Sequence, residues 1–184
     1  MLGKLCGIDE AGRGPIAGDL VMAGCILHSH VDGLNDSKKL SAKKREFLYE
    51  QIIPNSTYHV VKFSAKDIDD NGISVCLKKG LIEIMATLTC KEYLFDGNTN
   101  FGVVGLPTMI KADGKIAEVS AASIIAKVTH DRDILIEANK YPEYQFEKHK
   151  GYGTALHVEM IKKYGYCPIH RRTYKLKALA DTLF

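Results

Sequence analysis

The sequence predicts an α/β fold, a mixed sheet covered by helices. Three observations carry this: five short apolar segments read as strands, two longer ones space their apolar residues as helices do, and the two kinds are interleaved along the chain. Residues 4–8 form the first strand and run into a turn rich in Gly and Pro. Residues 21–27 are a continuous apolar run of strand length, and residues 57–63 alternate as a half-buried strand does. Leu77, Leu81, Ile84, Met85 and Leu88 then recur at helical spacing. Residues 92–96 and 108–111 make two more short strands, and Ala121, Ile124, Ile125, Val128 and Leu135 mark the second helix. The early strands follow one another through Gly-rich turns, as antiparallel neighbours do, whereas the later ones alternate with helices, so the sheet is mixed. From about residue 139 the pattern is helical and basic.

With 184 residues and 46% hydrophobic content the chain is long enough for one sizeable core, so residues 1–184 are expected to form a single domain, with 139–184 as its helical, basic segment. A monomer is expected. The five cysteines, at 6, 25, 76, 90 and 167, are scattered without C-x-x-C spacing, which argues against a disulfide framework or a thiolate zinc site and predicts reduced, mostly buried thiols. No apolar run approaches the roughly 18 residues of a membrane span, so a cytoplasmic protein with no membrane contact is expected. Net charge is only +3, but its distribution is uneven. Lys148, Lys150, Lys162, Lys163, Arg171, Arg172, Lys175 and Lys177 face a single acid, Glu159, with His149, His157 and His170 and Tyr152, Tyr164, Tyr166 and Tyr174 between them. Such a stretch suits a nucleic-acid backbone. It reads equally as a solvated helical face.

Asp9 and Glu10 stand side by side at the end of an apolar strand, before Gly12, Gly14 and Pro15. Adjacent strand residues face opposite sides, so the two carboxylates converge only if the strand bends there. Asp96-Gly97 and Asp113-Gly114 repeat the pattern at two further strand ends. Asp-Gly is a common turn dipeptide, and either of these acids alone reads as a hairpin residue. Together, on neighbouring strands, the four would gather along one sheet edge, where their repulsion calls for bound cations. Hard oxygen donors of this kind select Mg²⁺ or Mn²⁺.

Gly12 to Gly18 has one residue too many for a dinucleotide-binding G-x-G-x-x-G turn, is followed by a strand, and is preceded by two acids that would repel a pyrophosphate. There is no Walker A motif and no G-x-S-x-G, and no Ser or Cys is singled out as a nucleophile. A nucleic-acid-binding module without catalysis and a dinucleotide-dependent enzyme stay open on the residues alone.

The strings GIDEAGRGP (7–15), NDSKKL (35–40), FDGN (95–98), SAASIIAKV (120–128) and HKGYGT (149–154), in this order, resemble the ribonuclease HII family over nearly the whole chain. The resemblance implies a ribonuclease H-like fold, a central mixed five-stranded sheet flanked by helices, with a helical C-terminal segment closing over the substrate groove. It also implies an endonuclease that hydrolyses the RNA strand of RNA/DNA hybrids and incises duplex DNA 5′ to embedded ribonucleotides, leaving 3′-hydroxyl and 5′-phosphate ends. The family's catalytic and metal-binding acids match Asp9, Glu10, Asp96 and Asp113, which would hold Mn²⁺ or Mg²⁺, two ions during catalysis, with no organic cofactor. Gly12, Arg13 and Gly14 match the motif that reads the ribonucleotide 2′-hydroxyl, and Tyr152 the tyrosine that stacks on the following deoxynucleotide's sugar. Lys38, Lys39, Lys43, Lys44, Arg45 and the basic C-terminal stretch are expected to grip phosphates. His130 stands where arginine is more usual in the family, which predicts a weaker or pH-dependent phosphate contact beside Asp131; Asp131 itself, on a helix face with Ser120, Ser123 and Lys127, is a lesser metal candidate, expected to be structural or to support the metal ligands from behind.

Overall fold

Strands buried on both faces sit at the centre of a sheet, and β1 (Gly3–Ala11) and β2 (Leu20–Leu27) meet that condition: Cys6, Ile8, Leu20, Val21, Met22, Ala23 and Cys25 are fully buried. The computed structural model describes residues 3–35 and 37–175. β3 (Ser56–Phe63) joins the far edge of β2, and β4 (Cys90–Asp96) and β5 (Thr108–Met109) extend the other side, giving the order β3-β2-β1-β4-β5. The pairs β1–β2 and β2–β3 are antiparallel, while β1–β4 and β4–β5 are parallel. The mixed five-stranded sheet expected from the sequence is present. Its first strand runs on through Asp9 and Glu10 to Ala11, and its last shrinks to two residues.

Helices cover both faces. On one side α2 (Ala65–Asn71) and α3 (Ile73–Thr87) bury Ile68, Leu77, Leu81 and Ile84 against Ile8, Leu20, Met22 and Val61. On the other, α1 (Ala42–Ile52) and α4 (Ala117–Lys140) bury Leu48, Ile52, Ala121, Ile124, Ile125 and Val128 against Val21, Ala23 and Cys25. The small residues at the start of α4 let it approach β1 closely. A Cβ at Gly7 would overlap the backbone of Glu118 and Val119, so only glycine allows this crossing.

The helices α1 and α2 were not visible as periodic apolar stripes. α1 buries only Leu48 and Ile52 and begins at Ser41, whose hydroxyl accepts the Lys44 N–H at 3.2 Å. α2 is seven residues long and starts in a capping box, Ser64 with Asp67.

Beyond α4 the chain forms α5 (Phe146–His149) and α6 (Ala155–Tyr164), which enclose a third core of Ile16, Ala17, Ile134, Tyr144, Phe146, Met160, Ile161 and Cys167. The strand-to-strand turn at residues 16–18 docks here: Gly18 N–H donates to the Ile169 carbonyl at 2.9 Å, and Arg171 N–H to that of Ile16 at 2.8 Å. No helix among the described residues is long and apolar enough to cross a membrane.

Candidate active site

Parallel pairing sets two of the acids side by side. Ile8 is the register partner of Phe95, so the next residue on each strand, Asp9 and Asp96, emerges at the same level of the sheet. After β5 the chain turns through Lys111, in the left-handed region at φ 57°, into a single 3₁₀ turn, Ala112–Gly114. That turn, rather than a strand end as the sequence pattern had it, delivers Asp113. The Asp96 carboxylate accepts the Lys111 N–H at 3.1 Å through Oδ1 and the Asp113 N–H at 3.0 Å through Oδ2.

The result is one cluster. Carboxylate oxygens of Asp9, Asp96 and Asp113 lie within 4.8 Å of one another, with Asp9 and Asp113 only 8% and 5% exposed. Glu10 is not part of that trio but adjoins it, close enough for its charge to act on both Asp9 and Asp96. Burial, then the adjoining Glu10 charge, pushes the Asp9 carboxyl well above the usual range. Burial also raises Glu10, opposed by the Arg13 guanidinium 3.6 Å away, with Asp96 adding to the rise. One Glu10 oxygen, Oε2, is buried with no hydrogen-bond partner among the described residues. Crowded carboxylates, those of Asp9 and Glu10 with raised pKa values, and an orphaned oxygen are the donor set of a hard divalent cation, and these residues fit Mg²⁺ or Mn²⁺.

Glu10 opens onto a groove of about 520 Å³ that Gly12, Arg13, Gly14, Lys38 and Tyr152 also line. Tyr152 is 45% exposed, and a Cβ at Gly14 would stand 3.6 Å from its ring, so the two sequence motifs adjoin across this groove. Gly12 has φ 84°, and a side chain there would overlap the His130 imidazole.

Several basic residues assigned to phosphate gripping have other places. His130 is 2% exposed beneath Gly12, with Nδ1 3.3 Å from Asp131, so it offers no surface to a phosphate. Asp131 is tied to its own helix: although burial raises its pKa, hydrogen bonds from His130 and Lys127 hold it below the usual value. Arg45 donates to the Ser37 and Leu40 carbonyls at 2.8 and 2.6 Å and so shapes the 37–40 turn. Arg171 is 1% exposed, and His149, His157 and His170 are buried in the third core. Lys148, Lys162, Lys163, Arg172 and Lys175 remain exposed; Lys177 lies outside the described residues.

The histidines form a directed chain. Cys167 N–H donates to His170 Nδ1 at 2.9 Å, which leaves the proton on Nε2 to donate to His157 Nε2 at 3.0 Å; His157 Nδ1–H then donates to the Tyr152 carbonyl at 2.9 Å. Desolvation holds His157 and His170 down at about 4. Sequence reasoning missed this support for Tyr152, because three histidines among lysines look like surface.

The ribonuclease HII family model matches residues 6–177. The ribonuclease HII of Sulfurovum sp. (strain NBC37-1) is 60% identical over 181 residues, covering 98% of this chain and 96% of that one, and that of Aliarcobacter butzleri is 56% identical over 97% and 94%. Among solved structures, the Archaeoglobus fulgidus ribonuclease HII, determined in complex with PCNA, superposes with TM-score 0.81 at 30% identity over 95% of this chain and 96% of that chain. The Pyrococcus horikoshii ribonuclease H2 gives 0.76 at 30% identity over 93% of each. The fold is ribonuclease H-like, and the chain belongs to the ribonuclease HII family, enzymes of the hydrolase class that cut the RNA strand of RNA/DNA hybrids.

Proposed function

We propose that this chain, besides cutting the RNA strand of hybrids, nicks duplex DNA on the 5′ side of a single embedded ribonucleotide and leaves 3′-hydroxyl and 5′-phosphate ends. The observation that carries the reading is the adjacency of two devices: three carboxylates within 4.8 Å of one another, and, reached through Glu10, a groove walled by residues 12–14 and Tyr152. Asp9, Asp96 and Asp113 would hold the divalent metal, Mn²⁺ or Mg²⁺, with Glu10 completing the donors for a second ion. Bound there, such ions supply an activated water and stabilise the leaving 3′ oxygen, the division of labour of two-ion hydrolysis.

The chain's own residues supply recognition. The Gly12–Arg13–Gly14 backbone comes close enough to a sugar to sense its 2′-hydroxyl, because neither glycine holds it off with a side chain. Tyr152 stacks on the next sugar, and exposed Lys38, Lys39, Lys43 and Lys44 hold phosphates without reading sequence. The enzyme acts as a cytoplasmic, single-domain monomer; free cysteines support the reducing compartment.

The test is a labelled DNA duplex with one ribonucleotide, incubated with Mn²⁺, Mg²⁺ or EDTA, beside an Asp9→Asn variant. A metal-dependent nick 5′ to the ribonucleotide, lost in the variant, is expected. Cutting of a long hybrid with the single-ribonucleotide duplex left intact would restrict the activity to hybrids.

A further inference from the structure

The side chain of Arg171 is inside the protein, and all its hydrogen bonds but one are to the turn that carries Arg13. Nε and Nη2 donate to the Gly18 carbonyl at 3.0 and 2.8 Å, Nη2 to that of Gly12 at 2.6 Å, and Nη1 to those of Pro15 and Arg13 at 2.8 and 3.3 Å. Tyr174, whose ring lies 5.2 Å from the guanidinium, accepts from Nη1 at 3.2 Å and donates to the Arg13 carbonyl at 3.0 Å. No acid makes an ion pair with Arg171 among the described residues. A buried guanidinium without a carboxylate is costly unless every donor is matched, and here backbone carbonyls do the matching.

The geometry has a consequence on the far side of the turn. In a trans peptide the N–H points opposite to the C=O. Drawing the Gly12 and Arg13 carbonyls inward to Arg171 therefore turns the Arg13 and Gly14 N–H groups away from it. Neither N–H has a hydrogen-bond partner among the described residues, and both residues line the groove. The Asp19 carbonyl and the His130 imidazole crowd Gly12 as well, leaving no room for a Cβ there.

We infer that Arg171 is a positioning residue for ribonucleotide discrimination: it fixes the turn so that the Arg13 and Gly14 N–H donors meet a sugar oxygen in the groove. This rests on the function proposed above. Lysine in its place supplies one point of donation instead of a planar fork and leaves several carbonyls unmatched, so the turn relaxes. A shift of about 1 Å in such a contact costs on the order of 10²-fold in rate. A single ribonucleotide offers one 2′-hydroxyl in one register, whereas a long hybrid offers neighbours to a displaced turn. The loss therefore falls harder on the single-ribonucleotide substrate.

The experiment measures kcat/KM of the wild-type chain, Arg171→Lys and Tyr174→Phe on a single-ribonucleotide duplex and on a long hybrid, with Mn²⁺ affinity of each protein by electron paramagnetic resonance. The ratio of the two kcat/KM values does not depend on the fraction of protein folded. In Arg171→Lys it should fall roughly 10- to 100-fold with Mn²⁺ affinity unchanged, and in Tyr174→Phe several-fold in the same direction. An unchanged ratio in a folded Arg171→Lys protein overturns the inference even if its melting temperature drops. If Arg171→Lys does not fold, an unchanged ratio in Tyr174→Phe does the same. A wild-type protein that leaves the single-ribonucleotide duplex intact would overturn the proposed function, a result distinct from either of these.

Discussion

The Asp96 carboxylate is the backbone acceptor for Asp113, at 3.0 Å, as well as its neighbour in the acidic trio. Because Oδ1 and Oδ2 each take a different N–H, of Lys111 and Asp113, both oxygens are needed to shape the turn. An asparagine offers one acceptor and sets its NH₂ against the other N–H. Asp96→Asn should therefore destabilise the metal-free protein by about 1–3 kcal/mol, measured by urea unfolding in EDTA; a variant as stable as the parent would show that the turn holds its shape without the second bond.

Asp9→Asn should act in the opposite direction on stability. Asp9 is buried beside Glu10 and its carboxyl is raised, so its ionised form disfavours the fold above the folded pKa, and that penalty is absent below the unfolded pKa. At neutral pH in EDTA the amide removes the repulsion, and the melting temperature should rise by roughly 2–4 °C for each kcal/mol relieved. Turnover should drop by more than about 10²-fold with duplex binding largely kept. A lower melting temperature in EDTA would contradict the repulsion.

The histidine chain sets an acid limit. His157 and His170 are held at about 4 against an ordinary 6.5, so the native state excludes protons that the unfolded chain accepts. Their contribution is complete above pH 6.5 and is lost as pH falls toward 4. His149 and Arg172 nearby add positive charge that resists protonation further. The loss at pH 5 is on the order of 2 kcal/mol for each histidine. Thermal melts at pH 7.5 and 5.0 should differ accordingly, and imidazole proton resonances of His157 and His170 should stay fixed over that range; titration near 6.5 would contradict their burial.

Gly7→Ala tests the contact of β1 with α4. Its methyl group would meet the backbone of Glu118 and Val119, which has no rotamer to escape into. A loss of at least about 1–3 kcal/mol is expected, together with weaker Mn²⁺ binding, because β1 carries Asp9. Wild-type values for both would mean that α4 shifts without cost.

How much of this was legible depended on the residue. Asp9 and Asp96 could be placed because a carboxylate at the end of an apolar run, just ahead of a glycine turn, is a local pattern, and parallel pairing then aligns the two. Asp113 could be assigned to the set but not to its turn, since the left-handed conformation at Lys111 carries no residue signature. Adjacency in sequence puts Glu10 beside Asp9, and its charge does act on that carboxyl, but adjacency alone does not say which oxygen faces the cluster. Arg171 and the three histidines read as surface in the sequence because their side chains are polar. For Arg171, what reverses that is a set of carbonyls at residues 12–18, about 150 positions away, which no local window contains, and for the histidines it is partners at Tyr144, Tyr152 and Cys167 that only the folded third core brings into place.

The docking of residues 169–171 onto residues 16–18 also orders events during synthesis. A growing chain has all three aspartates once it passes residue 113, but it lacks Arg171 and Tyr174 for about 60 residues more, roughly 3–12 s at ordinary ribosomal speed. Throughout that interval the turn at Arg13 has no internal cation to organise it. A nascent ribonuclease, surrounded by RNA, thus acquires its acids well before the brace for its specificity loop.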